Sequence, residues 1–173
     1  MLIADKFSVM VAKQLQKQFA SPISHFNSAV GGWSSANGLE NFGEKVLCKS
    51  ADLLVLAFGM NDGRIEPDVF RDNTEKMVNM FKEKNPSAEV LLISTTLPNT
   101  ESDWVKNQPL FADELYKLEK KYSFVSVADM TDMHKKLLAT GKRYRDMTGN
   151  NVNHPNDFLA RVYAQVILRT LIG

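Results

Sequence analysis

The sequence predicts a three-layer α/β/α domain in which helices cover both faces of a parallel sheet. Short runs at 53–58, 90–93 and 124–128 are apolar apart from Ser126 and are bounded by polar residues, as buried strands are. Amphipathic stretches of helical period separate these runs along the chain. Strands that alternate with helices form parallel sheets, and 173 residues suffice for one core, so we predict a single domain over 1–173.

The first part of the chain reads as two helices with an irregular connection. Phe7, Val11, Leu15 and Phe19 recur every four positions and predict a helix over residues 5–19. A short strand candidate follows at residues 23–26, and a glycine-containing loop extends to residue 32. Residues 34–49 have a helical pattern that two internal glycines weaken, with Ser34 or Ser35 as the cap.

The rest of the chain alternates between strands and helices. The run at 53–58 suits a strand buried on both faces because it is continuously apolar. The remaining elements are predicted as a helix over 66–84, a strand over 90–93, a helix over 110–122, a strand over 124–128, a helix over 131–139, a polar loop over 140–156 and a helix over 158–172.

Charge and composition argue against several kinds of binding partner and cofactor. A formal net charge of +1 without a basic run argues against nucleic acid and an anionic membrane surface. No apolar run is long enough for a membrane span. The single cysteine, Cys48, excludes an internal disulfide and is expected to be buried in a helix. Neither a metal nor an organic cofactor is predicted, because ligand spacing and a phosphate-binding glycine loop are both lacking.

Polar residues cluster in loops that follow the predicted strands. In open α/β sheets, ligands bind outside the carboxyl ends of the strands, so these loops are candidates for one site. Asn61 lies in Gly-Met-Asn-Asp directly after the run at 53–58, and Asp62 beside it suits a role in holding its own loop. Gly32 lets a backbone N–H approach a ligand closely, although a plain turn would also place a glycine there.

The three histidines differ in their surroundings. His154 is held extended by Pro155, and Asn156 can cap the helix that follows, which would leave the imidazole able to accept a proton. A loop histidine that only bonds backbone is the alternative. His134, beside two lysines, is expected at the solvated surface, and His25 lies in the strand candidate.

These motifs, taken in chain order, resemble the sequence blocks of the SGNH, or GDSL-like, hydrolase family. Gly59-Met60-Asn61-Asp62 matches the family block Gly-x-Asn-Asp fully, and the segments ending in Gly32 and in His154-Pro155-Asn156 are similar to two further blocks. The resemblance implies a flavodoxin-like α/β fold and an ester hydrolase. It also implies that Gly32 and Asn61 donate hydrogen bonds to an oxyanion and that His154 is the base.

Two positions depart from the family pattern. The chain has no Gly-Asp-Ser block for the nucleophile; the nearest match, Ala4-Asp5-Lys6, has lysine in the serine position. We expect the sequence to begin downstream of the nucleophile and of the family's first strand, with Ser8, Ser34 and Ser35 as conceivable substitutes. Asn151 stands where the family acid would be, with Asp146 and Asp157 nearby in sequence.

The resemblance implies a substrate class with alternatives. The leading interpretation is an ester hydrolase that removes acetyl or other short acyl groups from a carbohydrate. A lysophospholipase or short-chain lipid esterase is the first alternative, and an inactive binding domain or fragment that lacks the nucleophile is the second. A missing central strand would expose sheet edges, so a homo-oligomer is a further expectation. The sequence leaves open whether the protein is cytoplasmic or secreted.

Overall fold

The computed structural model describes residues 6–173, and its centre is a parallel sheet of three strands. The strands are β1 (Leu53–Leu56), β2 (Glu89–Ile93) and β3 (Val125–Ala128). They lie in the order β1-β2-β3, and both pairings are parallel. Parallel neighbours need crossover connections, and the long helical segments between these strands provide them.

Eight α-helices surround the strands within the described part of the chain. They are α1 (Phe7–Phe19), α2 (Ser35–Glu40), α3 (Phe42–Lys45), α4 (Pro67–Lys84), α5 (Phe111–Lys121), α6 (Met130–Ala139), α7 (Tyr144–Met147) and α8 (Asp157–Ile172). Single turns of 3-10 helix lie at Met60–Asp62 and Gln108–Leu110. The predicted alternation of strands and helices is therefore confirmed, with short helices added in three loops.

The central strand β2 divides the core into two layers. Val90 and Leu92 pack in one apolar cluster with residues of α4 and α5. Leu91 and Ile93 pack in a second cluster with residues of α1 and α8. All four side chains are at most 1% exposed, because successive side chains of a strand point to opposite faces and both faces are covered here. The predicted three-layer α/β/α architecture is confirmed.

Helices α1 and α8 lie side by side and run in the same direction. The ring of Phe7 stacks on Tyr163 at 5.0 Å between centroids, and Gln18 and Ile172 line the same groove further along. Because α8 begins directly after the polar loop that carries His154, both helices begin near the carboxyl edge of the sheet. They end near the amino ends of the strands, where Phe19 lies.

The prediction that the run at 53–58 is buried on both faces is wrong for part of its length. Only Leu53–Leu56 forms a strand, and Val55 within it is 43% exposed. β1 is an edge strand of the sheet formed by residues 6–173, so it has a neighbouring strand on one side only. That position leaves one of its faces incompletely covered.

The strand predicted at residues 23–26 is also wrong. This segment has no regular secondary structure, and Ile23 and Phe26 are 36% and 58% exposed. No strand in the described part of the chain pairs with it, and an extended segment becomes a strand only through ladder hydrogen bonds.

The predicted helix at 34–49 divides into α2 and α3. Asn41, between them, leaves helical geometry with φ −100° and ψ 7°. Two glycines weaken helix propensity in this stretch, so the tertiary contacts decide where the helices end. Cys48 was expected to be buried in a helix, but it lies exposed in the turn that follows α3.

Candidate active site

The loop that carries Asn61 begins with a sharp turn at Gly59. This glycine has φ +115°, a backbone conformation that side chains other than glycine's disfavour. A Cβ atom built there would also lie 3.2 Å from the Cβ of Thr95, in the loop after β2. Gly59 therefore lets the chain turn from β1 into the 3-10 turn at Met60–Asp62 at the carboxyl edge of the sheet.

Asp62 fixes this turn from inside the protein. Its carboxylate is 1% exposed and accepts hydrogen bonds from Gly59 N–H at 2.9 Å and from both the backbone N–H and the hydroxyl of Ser35, at 2.7 and 2.6 Å. Charge-assisted hydrogen bonds of this kind are strong. Asp62 thus holds its own loop against α2, the role that the sequence predicts for it.

The Asn61 side chain lies at the surface and reaches the loop that contains Gly32. Its Nδ2 donates a hydrogen bond to the carbonyl of Trp33 at 3.1 Å. A primary amide has two N–H groups, and the described residues accept only one of them. Gly32 itself is exposed and has φ +80°. The structure therefore brings Asn61 and Gly32 together, separated by one residue and one hydrogen bond.

A second support for the Asn61 turn comes from the segment between β2 and α5, residues 94–108, which we call the post-β2 segment. Gln108 is 1% exposed, and its Nε2 donates to the carbonyls of Met60 and Trp104 at 3.3 and 2.8 Å. Asn107 donates from its backbone N–H to the carbonyl of Gly63 at 3.0 Å. A Cβ on Gly63 would lie 2.2 Å from Gln108 Nε2, so a side chain there would displace this amide. The sequence pattern singled out neither Gln108 nor Asn107.

The loop that carries His154 is organised by the amide of Asn150. Its Oδ1 accepts hydrogen bonds from the backbone N–H groups of Val152, Asn153 and His154, each at 3.0 Å. His154 itself is exposed. Asn156 caps α8 by accepting from Leu159 N–H at 3.1 Å, as the sequence predicts. The imidazole therefore stands at the rim, directly before a capped helix.

Asn99 joins the post-β2 segment to this loop. Its side chain is mostly buried and donates from Nδ2 to the carbonyl of Asn151 at 2.8 Å. Its backbone N–H donates to the carbonyl of Val152 at 2.9 Å. The same segment contacts the Asn61 turn at its other end, so it connects both halves of the site. The sequence pattern did not point to this role for Asn99.

None of the residues considered for the family's acid is seen to bond to His154. Asn151 is exposed, has φ +56°, and makes no hydrogen bond to His154 within the described part of the chain. Hydrogen bonds from Arg143 hold the pKa of Asp146 below its usual range. Asp157 is bonded to Arg161 at 2.9 Å. Both nearby carboxylates are thus engaged by arginine, and the role of Asn151 stays a prediction.

His134 was expected at the solvated surface, and this prediction is wrong. It is fully buried, its Nδ1 accepts a hydrogen bond from Leu97 N–H at 3.0 Å, and its ring meets Tyr144 edge-on at 5.5 Å. Because Nδ1 accepts, the proton of the neutral ring is on Nε2, which has no described partner. Burial lowers the pKa of His134 to about 4. The neutral ring anchors the start of the post-β2 segment.

The three serines that could replace the family nucleophile differ in whether their hydroxyl groups are already engaged in structural contacts. Ser35 is fully buried and bonded to Asp62 and Asn73, so its hydroxyl is committed to structure. Ser34 caps α2. Ser8 lies partly buried in the first turn of α1, which begins near the same edge of the sheet. Of the triplet at residues 4–6, the first two residues lie outside the described part of the chain.

A parallel sheet with glycine, asparagine and histidine loops at its carboxyl edge defines a hydrolase domain of the SGNH type. The sequence profile of the GDSL-like lipase/acylhydrolase family matches residues 4–161. The chain belongs to this family, and the resemblance drawn from the three motifs is confirmed. Among curated protein sequences, none matches the chain.

Solved structures share the fold at low sequence identity. Axe2, an acetylxylan esterase from Geobacillus stearothermophilus, has a TM-score of 0.84 at 14% identity, covering 98% of this chain and 82% of that one. A two-domain esterase (CEX) active on acetylated mannans, crystallised with mannopentaose, has a TM-score of 0.78 at 21% identity, covering 95% of this chain. The chain spans only 43% of the length of that esterase.

Two kinds of feature are not found among residues 6–173. No helix there is both long and apolar enough to cross a bilayer. No three His, Cys, Asp or Glu side chains in that range are grouped so that they could hold a metal ion.

Proposed function

We propose that the protein is a carboxylic ester hydrolase that removes acetyl or other short acyl groups from a carbohydrate. The observation that carries this proposal is the contact of the Asn61 amide with the Trp33 carbonyl, directly beside Gly32. The Gly32 N–H and the second N–H of Asn61, our two candidate donors, belong to the neighbouring exposed loops that this contact joins. Family membership and the esterase structures that share the fold support the same chemistry.

Two donors at this position suit the cleavage of an ester. When a hydroxyl attacks the carbonyl carbon, negative charge develops on the carbonyl oxygen. Donors that are already fixed lower the barrier because they need not reorganise, and one such donor contributes roughly 3–4 kcal/mol. Asp62 and Gln108 hold the Asn61 turn in place from two sides, which gives the required rigidity.

His154 would transfer the proton. As the hydroxyl oxygen bonds to the carbonyl carbon, its proton passes to the imidazole; the same proton then goes to the alcohol oxygen as the ester C–O bond breaks. Water removes the acyl group from the nucleophile by the same steps. We assign Asn151 the orientation of the imidazole, with no stabilisation of its positive charge, because an amide is neutral. Ser8 is our candidate hydroxyl among the described residues.

The substrate class rests on the proteins that share the fold. One acts on acetylated mannans and another is an acetylxylan esterase, so an O-acetyl group on a polysaccharide or oligosaccharide is the proposed ester. No feature of the described residues favours the lysophospholipase alternative.

The test is turnover by this chain of p-nitrophenyl acetate and of acetylated xylooligosaccharide. We expect His154→Ala to abolish turnover and Asn61→Ala to lower kcat about 10²–10³-fold. His25→Ala is the matched control, because His25 is also exposed but lies in the irregular segment before Gly32. Turnover that survives His154→Ala would overturn the catalytic assignment. A folded chain without turnover would instead favour the non-catalytic binding domain.

We also propose that two copies associate through β1. No strand among residues 6–173 pairs with its outer edge, and Val55 beside that edge is 43% exposed. Unpaired strand edges favour pairing with another chain. Sedimentation should give a dimer that Val55→Lys dissociates, since charge on an edge strand discourages pairing. A monomer at about 100 μM would contradict the proposal.

A further inference from the structure

The two tryptophans of the chain both belong to loops of the candidate site. Trp33 follows Gly32, and its carbonyl accepts the hydrogen bond from Asn61. Trp104 lies in the post-β2 segment, where its carbonyl accepts from Gln108 Nε2 at 2.8 Å. The same Nε2 donates to the carbonyl of Met60, next to Asn61. Both tryptophan backbones are thus fixed against one turn, although 71 positions of sequence separate them.

Both tryptophans keep part of their surface in contact with solvent. Trp104 is 47% exposed, and Trp33 is intermediate between buried and exposed. A large aromatic side chain gains about 25 cal/mol for each Å² of apolar surface that it buries, so partial exposure forgoes stability. Tryptophan is enriched at interfaces, because it combines a large apolar body with a polar N–H group.

The residues next to these tryptophans along the chain fit a sugar better than an acyl chain. Gly31, Gly32, Ser34 and Asn61 adjoin Trp33, and residues 103–107 around Trp104 include an aspartate, a lysine and an asparagine. A sugar ring has an apolar C–H face that stacks on an aromatic ring and hydroxyl groups that bond to amides and charged groups. A long acyl chain would require continuous apolar walls, which this composition does not supply.

We propose that Trp33 and Trp104 bind the carbohydrate part of the substrate by stacking on sugar rings next to the Asn61 amide. This inference rests on the proposed function for its location, because it makes the tryptophans a sugar subsite beside the ester. Binding does not require turnover, so the subsite can be tested even in a chain that lacks a competent nucleophile.

Intrinsic fluorescence tests the proposal directly, since these two residues are the chain's tryptophans. Unacetylated xylotetraose and mannopentaose serve as probes. We expect a saturable shift of emission to shorter wavelength, with dissociation constants in about the millimolar range that is typical of a few contacts. Trp104→Ala should weaken binding about fivefold to tenfold, and Trp104→Phe should weaken it less because a stacking ring remains.

The matched control is Phe19→Ala. Phe19 is 59% exposed but lies at the end of α1 away from the site, so its removal should leave the titration unchanged. Circular dichroism and thermal melting verify that each variant is folded. Trp33→Phe is a second variant, because the Trp33 carbonyl that binds Asn61 is retained.

Three outcomes separate this inference from the proposed function. Absence of a spectral change at about 50 mM sugar would overturn the subsite, whatever the esterase assay gives. A shift caused by hexanoate but not by sugar would overturn it in favour of an acyl pocket. Saturable sugar binding that Trp104→Ala weakens supports it, and failure to hydrolyse p-nitrophenyl acetate would then count only against the proposed ester hydrolase.

Discussion

The two halves of the candidate site are built in different ways. The Asn61 half is centred on the buried carboxylate of Asp62, which accepts three hydrogen bonds between 2.6 and 2.9 Å. The His154 half is centred on the amide of Asn150, which accepts three hydrogen bonds of 3.0 Å at the surface. One half is held by a desolvated charge and the other by a neutral group in contact with water.

This difference means that the Asn61 turn is held more firmly than the His154 loop. Oxyanion donors contribute most when they are fixed before the reaction, and a buried carboxylate that accepts three bonds fixes the turn of Asn61. A histidine that accepts a proton and then returns it must stay within hydrogen-bond reach of its partners, and here only hydrogen bonds to an exposed amide hold its loop. Asn99 links the two halves, since the post-β2 segment contacts both.

The Asp62→Ala variant should cause the largest loss of stability. It leaves the buried donors of Ser35 and Gly59 without an acceptor, which costs about 3–5 kcal/mol. Urea unfolding measures the loss. Asp52→Ala is the matched control, because Asp52 is exposed at the other end of β1, and its removal should stay within about 0.5 kcal/mol. Equal losses in both variants would show that the buried carboxylate is not the organising group.

The buried His134 should make stability depend on pH. The pKa of His134 is about 4 in the folded protein and 6.5 when the ring is not buried, as in the unfolded chain. Between these two pH values the unfolded chain therefore binds more protons than the folded protein. Its contribution is therefore complete above about pH 6.5 and is lost as pH falls towards 4, by at most about 3 kcal/mol. Unfolding free energies of wild type and His134→Gln across this range measure it. An identical slope in both proteins contradicts the prediction.

The Asn99→Ala variant should cost about 1–2 kcal/mol, because it removes two side-chain bonds in a mostly buried place, one donated to the Asn151 carbonyl and one accepted from Glu101 N–H. We expect it to loosen the His154 loop but not the Asn61 turn. Hydrogen exchange should speed up at the backbone amides of residues 152–154 and remain slow at Gly59. Faster exchange at both places would show that the two halves are one cooperative unit.

The smallest effect on stability is expected for Asn151→Gly. Asn151 has a left-handed backbone that glycine adopts without strain, and the carbonyl that accepts from Asn99 is retained. Stability should change by about 0.5 kcal/mol or less. If turnover falls tenfold or more in this variant, the side chain orients the imidazole; unchanged kcat would remove Asn151 from the site.

Local pattern was sufficient for much of the architecture. A continuous apolar run predicted β2 because that strand is covered on both faces. β3 was predicted from its apolar residues although Ser126 within it is exposed, and helical periods predicted α1, α4 and α8 to within two residues. The same logic failed at residues 23–26, where extended propensity exists without a described strand to pair with. The prediction of a surface position for His134 was wrong for a related reason. The polarity of the residues next to it on the helix does not show which face of the helix packs inward.

The sequence alone determined the family, through three short motifs in the correct order, and the loops in which Gly32, Asn61 and His154 lie. Those features are local, since a turn glycine, a cap or a proline acts on adjacent residues. Only the tertiary structure decided what holds them: the buried Asp62 carboxylate and the Asn99 contact join residues 27 to 53 positions apart. Such contacts form when packed elements bring distant groups together, and no local pattern encodes that meeting.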